Sequence, residues 1–488
     1  MKLLGIDVGT TGVKAAVFTE DGRVLGYAME TYPISFPDGG YAEQDGELVW
    51  DRAKKAVSGA VAQSGGDIRA VSVSTQGDAL LLLDREERVL APVQLGMDYR
   101  AAPQVERLVR ERGEKYFFEK TGMPPHPLNF FAKLCWAAQR QPELLEKTWK
   151  AVTYADYFMI RFCGKAKLDA TMAGRTMAVD LHTGDWDPEI LAQAPVRRDQ
   201  LSEICPSGTA VGVIRPELAR ELGISGQALL VAGGHDQVCA AIGAGVCGEG
   251  IALDSHGTAE VLSVAFSAPL LTPEMLREGC PCYPHGVPGR YFSFGLNHTG
   301  GVSLQWFKEL FGYPSYDVLL GSLPEEPSPL LTVPRFLREG AGGCFTGLTL
   351  SSTKEEMGKS VLEGLAYEMR RFLELFEGFG VPVEELRCVG GGARSPVGLQ
   401  LKADVYGRPV STLETREAAC LGAALLAGTA AGAYATVEEA AARTVRIQRT
   451  YRPDARRAGQ YGRRFREYRL LADALQERAQ RSAGPAAD

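Results

Sequence analysis

The sequence predicts an α/β protein built from two domains that share one plan, and three observations carry that expectation. An apolar run at 3–6 passes through Asp7-Val8-Gly9-Thr10-Thr11-Gly12 into a second run at 13–18, which reads as strand, tight turn and returning strand. Residues 250–255 pass through His256-Gly257-Thr258-Ala259 into 260–264 in the same way. At 488 residues the chain is long enough for two ordinary domains. Two such hairpins far apart suggest a duplicated domain with two phosphate loops facing one cleft. Laying Gly9-Thr10 on Gly257-Thr258 sets Ser255 opposite Asp7 and leaves Asp254 one position out of register.

The first turn has the chemistry of a phosphate cradle. Gly9 and Gly12 let the backbone turn tightly, which leaves N–H groups, the hydroxyls of Thr10 and Thr11, and Lys14 to meet an anion. Asp7 beside it suits a phosphate-bound Mg²⁺, held directly or through water. An ordinary hairpin is the plain alternative, since a short Gly-rich turn is weak by itself.

Composition narrows the partners. Net charge is −7, against a general nucleic-acid binder. An Arg-rich stretch at 443–481 also carries Glu and Asp and reads as a solvated or packed terminal helix. Ten cysteines are scattered and no secretory pattern precedes Leu3, so reduced thiols and a cytoplasmic location are expected. Cys280-Pro281-Cys282 with His285 lacks a second ligand pair for a metal. The uncharged run 418–435 is mostly Ala, Gly and Thr, which favours a packed helix over a membrane span.

In chain order, residues 23–31 read as a third strand, and a helix starts near Gly46 with Leu48, Val49, Trp50, Ala53 and Val57 on one face. Residues 68–74 form a buried strand that ends in Thr75-Gln76-Gly77-Asp78, where α/β sites are built. Gln76, Asp78, Asp98 and Arg100 could hydrogen-bond the hydroxyls of a polyol or sugar; turn capping and a surface salt bridge are the alternative. Residues 104–163 read as mainly helical, with Lys133 and Trp136 on one helix. The strand 229–232 runs through Gly233-Gly234-His235 to Asp236 at a helix start, either as an N-cap or as a base on the floor of the site. Gly300-Gly301-Val302 opens a helix, 353–376 is a long amphipathic helix, and the strand 386–389 ends in Gly390-Gly391-Gly392-Ala393-Arg394-Ser395. That glycine triplet lets a ring or phosphate approach the backbone. The tail 482–488 reads as disordered.

Together these stretches resemble the FGGY carbohydrate kinases. The matching segments are Asp7 to Lys14, Tyr41-Ala42-Glu43-Gln44-Asp45, Gly234 to Gly245, Ser255 to Thr258, and Gly390 to Ser395 through to Pro409. They stand in the family's order and reach to about Ala427. The resemblance implies two actin-like, ribonuclease H-like domains around a central cleft, with boundaries at 1–246 and 247–440 and a helical extension at 441–488. It implies ATP and Mg²⁺, a small ketose or polyol as acceptor, no nucleic acid, no membrane, and a possible homodimer. On this reading Asp236 is the catalytic base, and Gly9, Thr10, Thr11 and Lys14 form the first phosphate loop. Gly257 and Thr258 form the second, with Gly301 beside the nucleotide. Asp7 handles the metal, Gly391, Gly392 and Ser395 hold adenosine, and Gln76 and Asp98 fall where related kinases contact the sugar, with Asp78 and Arg100 joined to them by the residue pattern above.

The chain departs from the family's xylulose kinases at Gln76-Gly77-Asp78, where those carry Gln-Met-His. Gly96-Met97-Asp98 lacks an aromatic found in many members, and the segment at 338–343 is short. The Gln-Gly-Asp pattern is similar to kinases of L-xylulose, erythritol or related polyols, and a xylulose-type pentulose remains the leading acceptor. The competing readings are an actin-like or chaperone-like ATP-binding protein that works by domain closure, and a degenerate kinase used as a regulator.

Overall fold

The computed structural model describes residues 1–336 and 342–482. The expected short segment at 338–343 and the tail at 482–488 therefore lie largely outside the described residues.

Two compact units emerge. The first comprises Met1–Gly248, Ala265–Ser293 and Glu417–Val445, and the second Glu249–Val264, Phe294–Arg416 and Arg446–Asp488. These are not the contiguous domains expected from the sequence, because the chain returns to the first unit late. Helix Ala418–Ala430 is buried almost throughout and packs within the first unit. Glycine makes that packing possible. A methyl on Gly422 would stand 1.8 Å from the Cys239 carbonyl oxygen, and one on Gly243 would stand 1.8 Å from that of Ala418. The uncharged run is thus a packed helix, and among the described residues no helix is long and apolar enough to cross a membrane.

The first unit centres on a six-stranded sheet. Its order is Ala210–Val213, Leu229–His235, Ala70–Thr75, Lys2–Val8, Gly12–Thr19, Val24–Thr31. The last three strands form an antiparallel meander, while Ala70–Thr75 runs parallel to both Lys2–Val8 and Leu229–His235. Lys2–Val8 is nearly all buried, as a central strand covered on both faces must be. Helix Gly46–Ser64 starts where Asp45 accepts the Glu47 and Leu48 N–H groups, and it ends at Gly65 in the left-handed region. It buries Val49, Trp50, Ala53, Ala56, Val57, Ala60 and Val61, the face that the 3.6-residue spacing indicated.

The principal sheet of the second unit repeats the plan. Tyr291–Asn297, Glu260–Phe266, Gly250–His256, Val383–Gly390, Val410–Leu413 and Ile447–Tyr451 follow one another across it. Again a hairpin lies beside two parallel neighbours, with an antiparallel strand at the edge. The duplication inferred from two faint hairpins is therefore a duplication of whole sheets. Ser255 is half-buried like Asp7, whereas Asp254 has no exposed surface, so the register that pairs Ser255 with Asp7 holds.

The Arg-rich stretch divides in two. Ile447–Tyr451 is an edge strand, which the sequence reading had merged into a helix, and Ala455–Ser482 is the helix proper. That helix buries Tyr461, Phe465, Tyr468 and Ala472 while Arg457 pairs with Asp404 at 2.8 Å. The arginines flank a packed apolar stripe.

Candidate active site

Three parallel strands of the first unit end at one level. Their registers set Asp7 beside Ser74, Val8 beside Thr75, and His235 beside Thr75. The turn at 9–11, the Gln76-Gly77-Asp78 segment and Asp236 therefore follow the carboxyl ends of adjacent strands, where open α/β sheets place ligands.

The turn is braced from behind through its carbonyls. The Gly9 oxygen accepts from the Tyr32 hydroxyl at 2.6 Å and from Gln76 Nε2 at 3.3 Å. Gln44 Nε2 donates to the Thr10 oxygen, and the Tyr32 N–H donates to that of Thr11. The Gly9 N–H is spent on the Gly12 oxygen at 3.0 Å, so the N–H groups of Thr10 and Thr11 are the ones left for an anion cradle. Gln44, which the sequence reading placed in a motif without a role, is one of the braces. Gln76 is another, and its amide nitrogen serves the loop. Lys14 pairs with Glu417 at 2.8 Å and keeps 34% side-chain exposure, so it is a held cation at the loop's edge.

Asp7 accepts from Ser74 Oγ at 2.9 Å. Burial raises its carboxyl pKa, against the pull of Lys14 and Ser74. A half-buried carboxylate with one oxygen engaged and a raised proton affinity suits a hard cation, which would relieve that penalty.

Asp236 opens helix Asp236–Gly243 and keeps 30% side-chain exposure. Burial, and the Asp7 charge next, push its carboxyl up to about 7. His235 Nε2 lies 3.2 Å from its Oδ1, and His235 Nδ1 lies 3.0 Å from the Tyr283 hydroxyl. Burial, with Arg175 nearby, holds the imidazole neutral. This carboxylate sits at a helix start whose N-cap is His235, with no side-chain capping bond, and it can take a proton near neutral pH.

The four residues expected to bind a sugar separate into two groups. Asp98 has no exposed surface, and its two oxygens accept from the Ala42 and Arg100 N–H groups and from the Arg100 guanidinium. Arg100 also pairs with Glu43 at 2.6 Å and lies 3.9 Å from the Tyr41 ring centroid and 4.8 Å from that of Trp136. This is a closed internal brace, and it displaces the expectation that Asp98 and Arg100 face a ligand.

Asp78 belongs to the other group. It adopts φ +66°, its Oδ2 pairs with Arg175, and its Oδ1 is buried with no hydrogen-bond partner among the described residues. Lys133, fully buried, donates to the Asp78 and Leu128 carbonyls, and burial lowers its pKa to about 7. The sequence does not single out Arg175 or Tyr283, and it places Lys133 only on a helix, without a role in the site. No motif marks them, and Arg175 lies 97 positions from Asp78.

The second unit carries its own cavity at its strand ends. His256 sits beside Gly390 across the parallel pair, which brings Gly257-Thr258 next to Gly391-Gly392. These residues, with Gly301, Gln305, Tyr316, Leu320, Arg394, Ser395 and Val397, line the cavity. Its turn is braced as the first is. The Gly301 N–H donates to the Gly257 oxygen at 3.0 Å, and the Val302 N–H to that of Thr258 at 3.2 Å. Gly301 is therefore a prop whose own N–H is spent. Ser395 caps helix Pro396–Tyr406 by accepting the Gly398 N–H at 3.0 Å. Gly392 has to be glycine, because a methyl there would stand 2.3 Å from His256 Cγ.

Comparison with known proteins gives the family. Residues 2–243 match the N-terminal domain, and residues 331–431 the C-terminal domain, of the FGGY family of carbohydrate kinases. The chain is 27% identical over 483 residues to a xylulose kinase of Bacillus subtilis, covering 96% of each chain. It is 29% identical over 460 residues to a gluconokinase of the same organism, covering 89% of this chain and 87% of the other. The solved structure of a xylulose kinase from Rhodospirillum rubrum superposes with a TM-score of 0.91 at 25% identity, covering 98% of this chain and 100% of that one.

Proposed function

We propose, for a chain that belongs to the FGGY family of carbohydrate kinases and is an ATP-dependent phosphotransferase, that the acceptor is a small neutral ketose or polyol, a xylulose-type pentulose foremost, and that Asp236 is its general base. The observation that carries this reading is Asp236 itself, a partly exposed carboxylate at a strand end with its pKa pushed up to about 7. A base poised near the working pH takes a hydroxyl proton most effectively.

Phosphoryl transfer asks little covalent chemistry of a protein. It needs the acceptor oxygen in line with the γ-phosphate, N–H groups and a cation against the spreading charge, and exclusion of water. The Thr10 and Thr11 N–H groups are left to donate in the first unit and that of Thr258 in the second, since the Gly9 and Gly257 N–H groups are spent on the Gly12 and Ala259 oxygens. Asp7 would hold the Mg²⁺ that accompanies ATP and offsets phosphate charge. Gly391 and Gly392 open the cavity to adenosine. Asp236 receives the proton of the attacking hydroxyl, and neutral His235 keeps the carboxylate oriented.

Asp7, Asp78 and Asp236 are three acidic groups close to one another, and Asp78 already engages Arg175. Hydroxyl donors suit such a surface, whereas an acceptor carrying its own carboxylate is repelled. Asp78 Oδ1, buried and unpartnered among the described residues, is an acceptor for one such hydroxyl. Magnesium, a cytoplasmic location and a homodimer belong to the same reading.

The test is ADP release from Mg-ATP across pentuloses, hexuloses, tetritols, glycerol and gluconate. A neutral ketose or polyol that raises the rate far above background supports the reading. Gluconate as the preferred acceptor removes the neutral-substrate assignment. No stimulation by any acceptor, with ATP still bound, favours a binder that works by conformational change.

A further inference from the structure

A buried ionic cluster lies beneath the second turn. Lys402 Nζ donates to Asp254 Oδ2 at 2.7 Å and to Glu260 Oε1, and it lies 3.1 Å from His256 Nδ1. Asp254 also accepts from the Tyr406 hydroxyl at 3.2 Å. Asp254 and Glu260 have no exposed surface, and Lys402 is nearly as buried.

The donor count fixes the chemistry. An ammonium has three hydrogens and no lone pair. The partners of Lys402 are Asp254, Glu260 and His256 Nδ1, so Nδ1 accepts. Glu260 Oε1 also stands 3.3 Å from Nδ1, but a proton on that nitrogen would point at a cation 3.1 Å away. Burial, with Lys402 next, holds the ring neutral by lowering its pKa to about 3. A neutral imidazole with Nδ1 bare carries its proton on Nε2.

That nitrogen faces the cavity. His256 lines it together with Gly257, Thr258, Gly301, Gly391 and Gly392. A methyl built on Gly301 would stand 3.7 Å from Nε2. Lys402, with its three hydrogens committed, cannot serve a ligand directly. The cluster offers the cavity one donor, the imidazole Nε2–H beside the Gly257-Thr258 turn.

We propose that His256 is a nucleotide-binding residue whose Nε2–H donates to a phosphate oxygen, and that Lys402 is the positioning residue that fixes this tautomer. The inference rests on the kinase reading of the second unit. It deepens that reading by assigning a side-chain donor where the turn had supplied only backbone.

The experiment compares the full-length protein with His256→Asn and His256→Gln, titrated calorimetrically with Mg-ADP and with adenosine. Asn keeps an acceptor for Lys402 near the Nδ1 position and removes the Nε2 donor. Gln places an amide nitrogen near Nε2. His256→Asn should lose about 10- to 100-fold in ADP affinity, the range for a hydrogen bond to a charged group. Its adenosine affinity should stay unchanged, and His256→Gln should recover most of the loss. In the wild type, a ¹H–¹⁵N spectrum of the histidine rings should show His256 protonated at Nε2 and bare at Nδ1. Unchanged ADP affinity in His256→Asn overturns the proposal, as does an equal loss for adenosine or a proton found on Nδ1. A wild type that binds neither ADP nor adenosine overturns the kinase reading and the proposal together.

Discussion

His235 Nε2 stands 3.2 Å from Asp236 Oδ1, while the other ring nitrogen stands 3.0 Å from the Tyr283 hydroxyl. The base candidate is thus one end of a three-residue relay assembled from a strand end, a helix start and a distant strand. Because the ring is held neutral, it steadies the carboxylate without lending it a cation that would suppress its basicity.

The pH dependence follows from Asp236. Its pKa is raised to about 7, so the folded protein holds a proton there that an unfolded chain has released. The ionised base predominates only above that value. The expected kcat/KM for the acceptor falls as pH drops through about 7 and reaches a plateau above it. The stability effect has the opposite slope, because between the ordinary carboxylate range and 7 the folded state binds more protons, and this group's contribution declines as pH rises. Rate profiles measured at saturating and at limiting acceptor test the assignment.

Gly77 gives the site its room. A methyl there would stand 2.9 Å from His235 Nε2 and 3.1 Å from Arg175 Nε, and both of those side chains are confined. Gly77→Ala should lower kcat about 10- to 100-fold through a displacement of less than 1 Å, with ADP affinity unchanged. Steady-state kinetics paired with ADP calorimetry give the answer, and a variant with wild-type kcat shows that the relay tolerates displacement.

Asp98 and Arg100 make the contrasting case. The pair is buried, doubly hydrogen-bonded and flanked by Tyr41 and Trp136. Removing one partner strands the other, which costs about 3–5 kcal/mol in comparable sites. Arg100→Met should lower the unfolding free energy read from urea denaturation by that amount, and the folded fraction should keep its acceptor KM. A large KM increase at unchanged stability would restore these residues to the sugar pocket.

The legibility of the site follows the distance over which its parts are joined. Asp7, Gly9, Asp236, Gly391 and Gly392 sit at strand ends within short chain-local motifs, and the sequence places them correctly on those ends. Arg175 meets Asp78 from 97 positions away and Lys402 meets Asp254 from 148, and no motif pairs them. Such pairs exist only after folding. Asp98 and Arg100 have the residue types of a sugar contact, and burial alone reveals them as a brace. At the fold level the two hairpins announced the duplication. The edge strand Ile447–Tyr451 was hidden because its first four residues are exposed in a row, Arg449 among them, which suits a sheet edge and mimics a solvated helix.

The most direct measurement is turnover by Asp236→Asn with Mg-ATP and the best acceptor from the panel, alongside ADP affinity of the same variant. Loss of the base should lower kcat by at least about 100-fold while ADP binds as in the wild type, since the cavity proposed for the nucleotide lies in the second unit. Near-normal turnover by Asp236→Asn would contradict the account, because no proton acceptor would then be needed at that position.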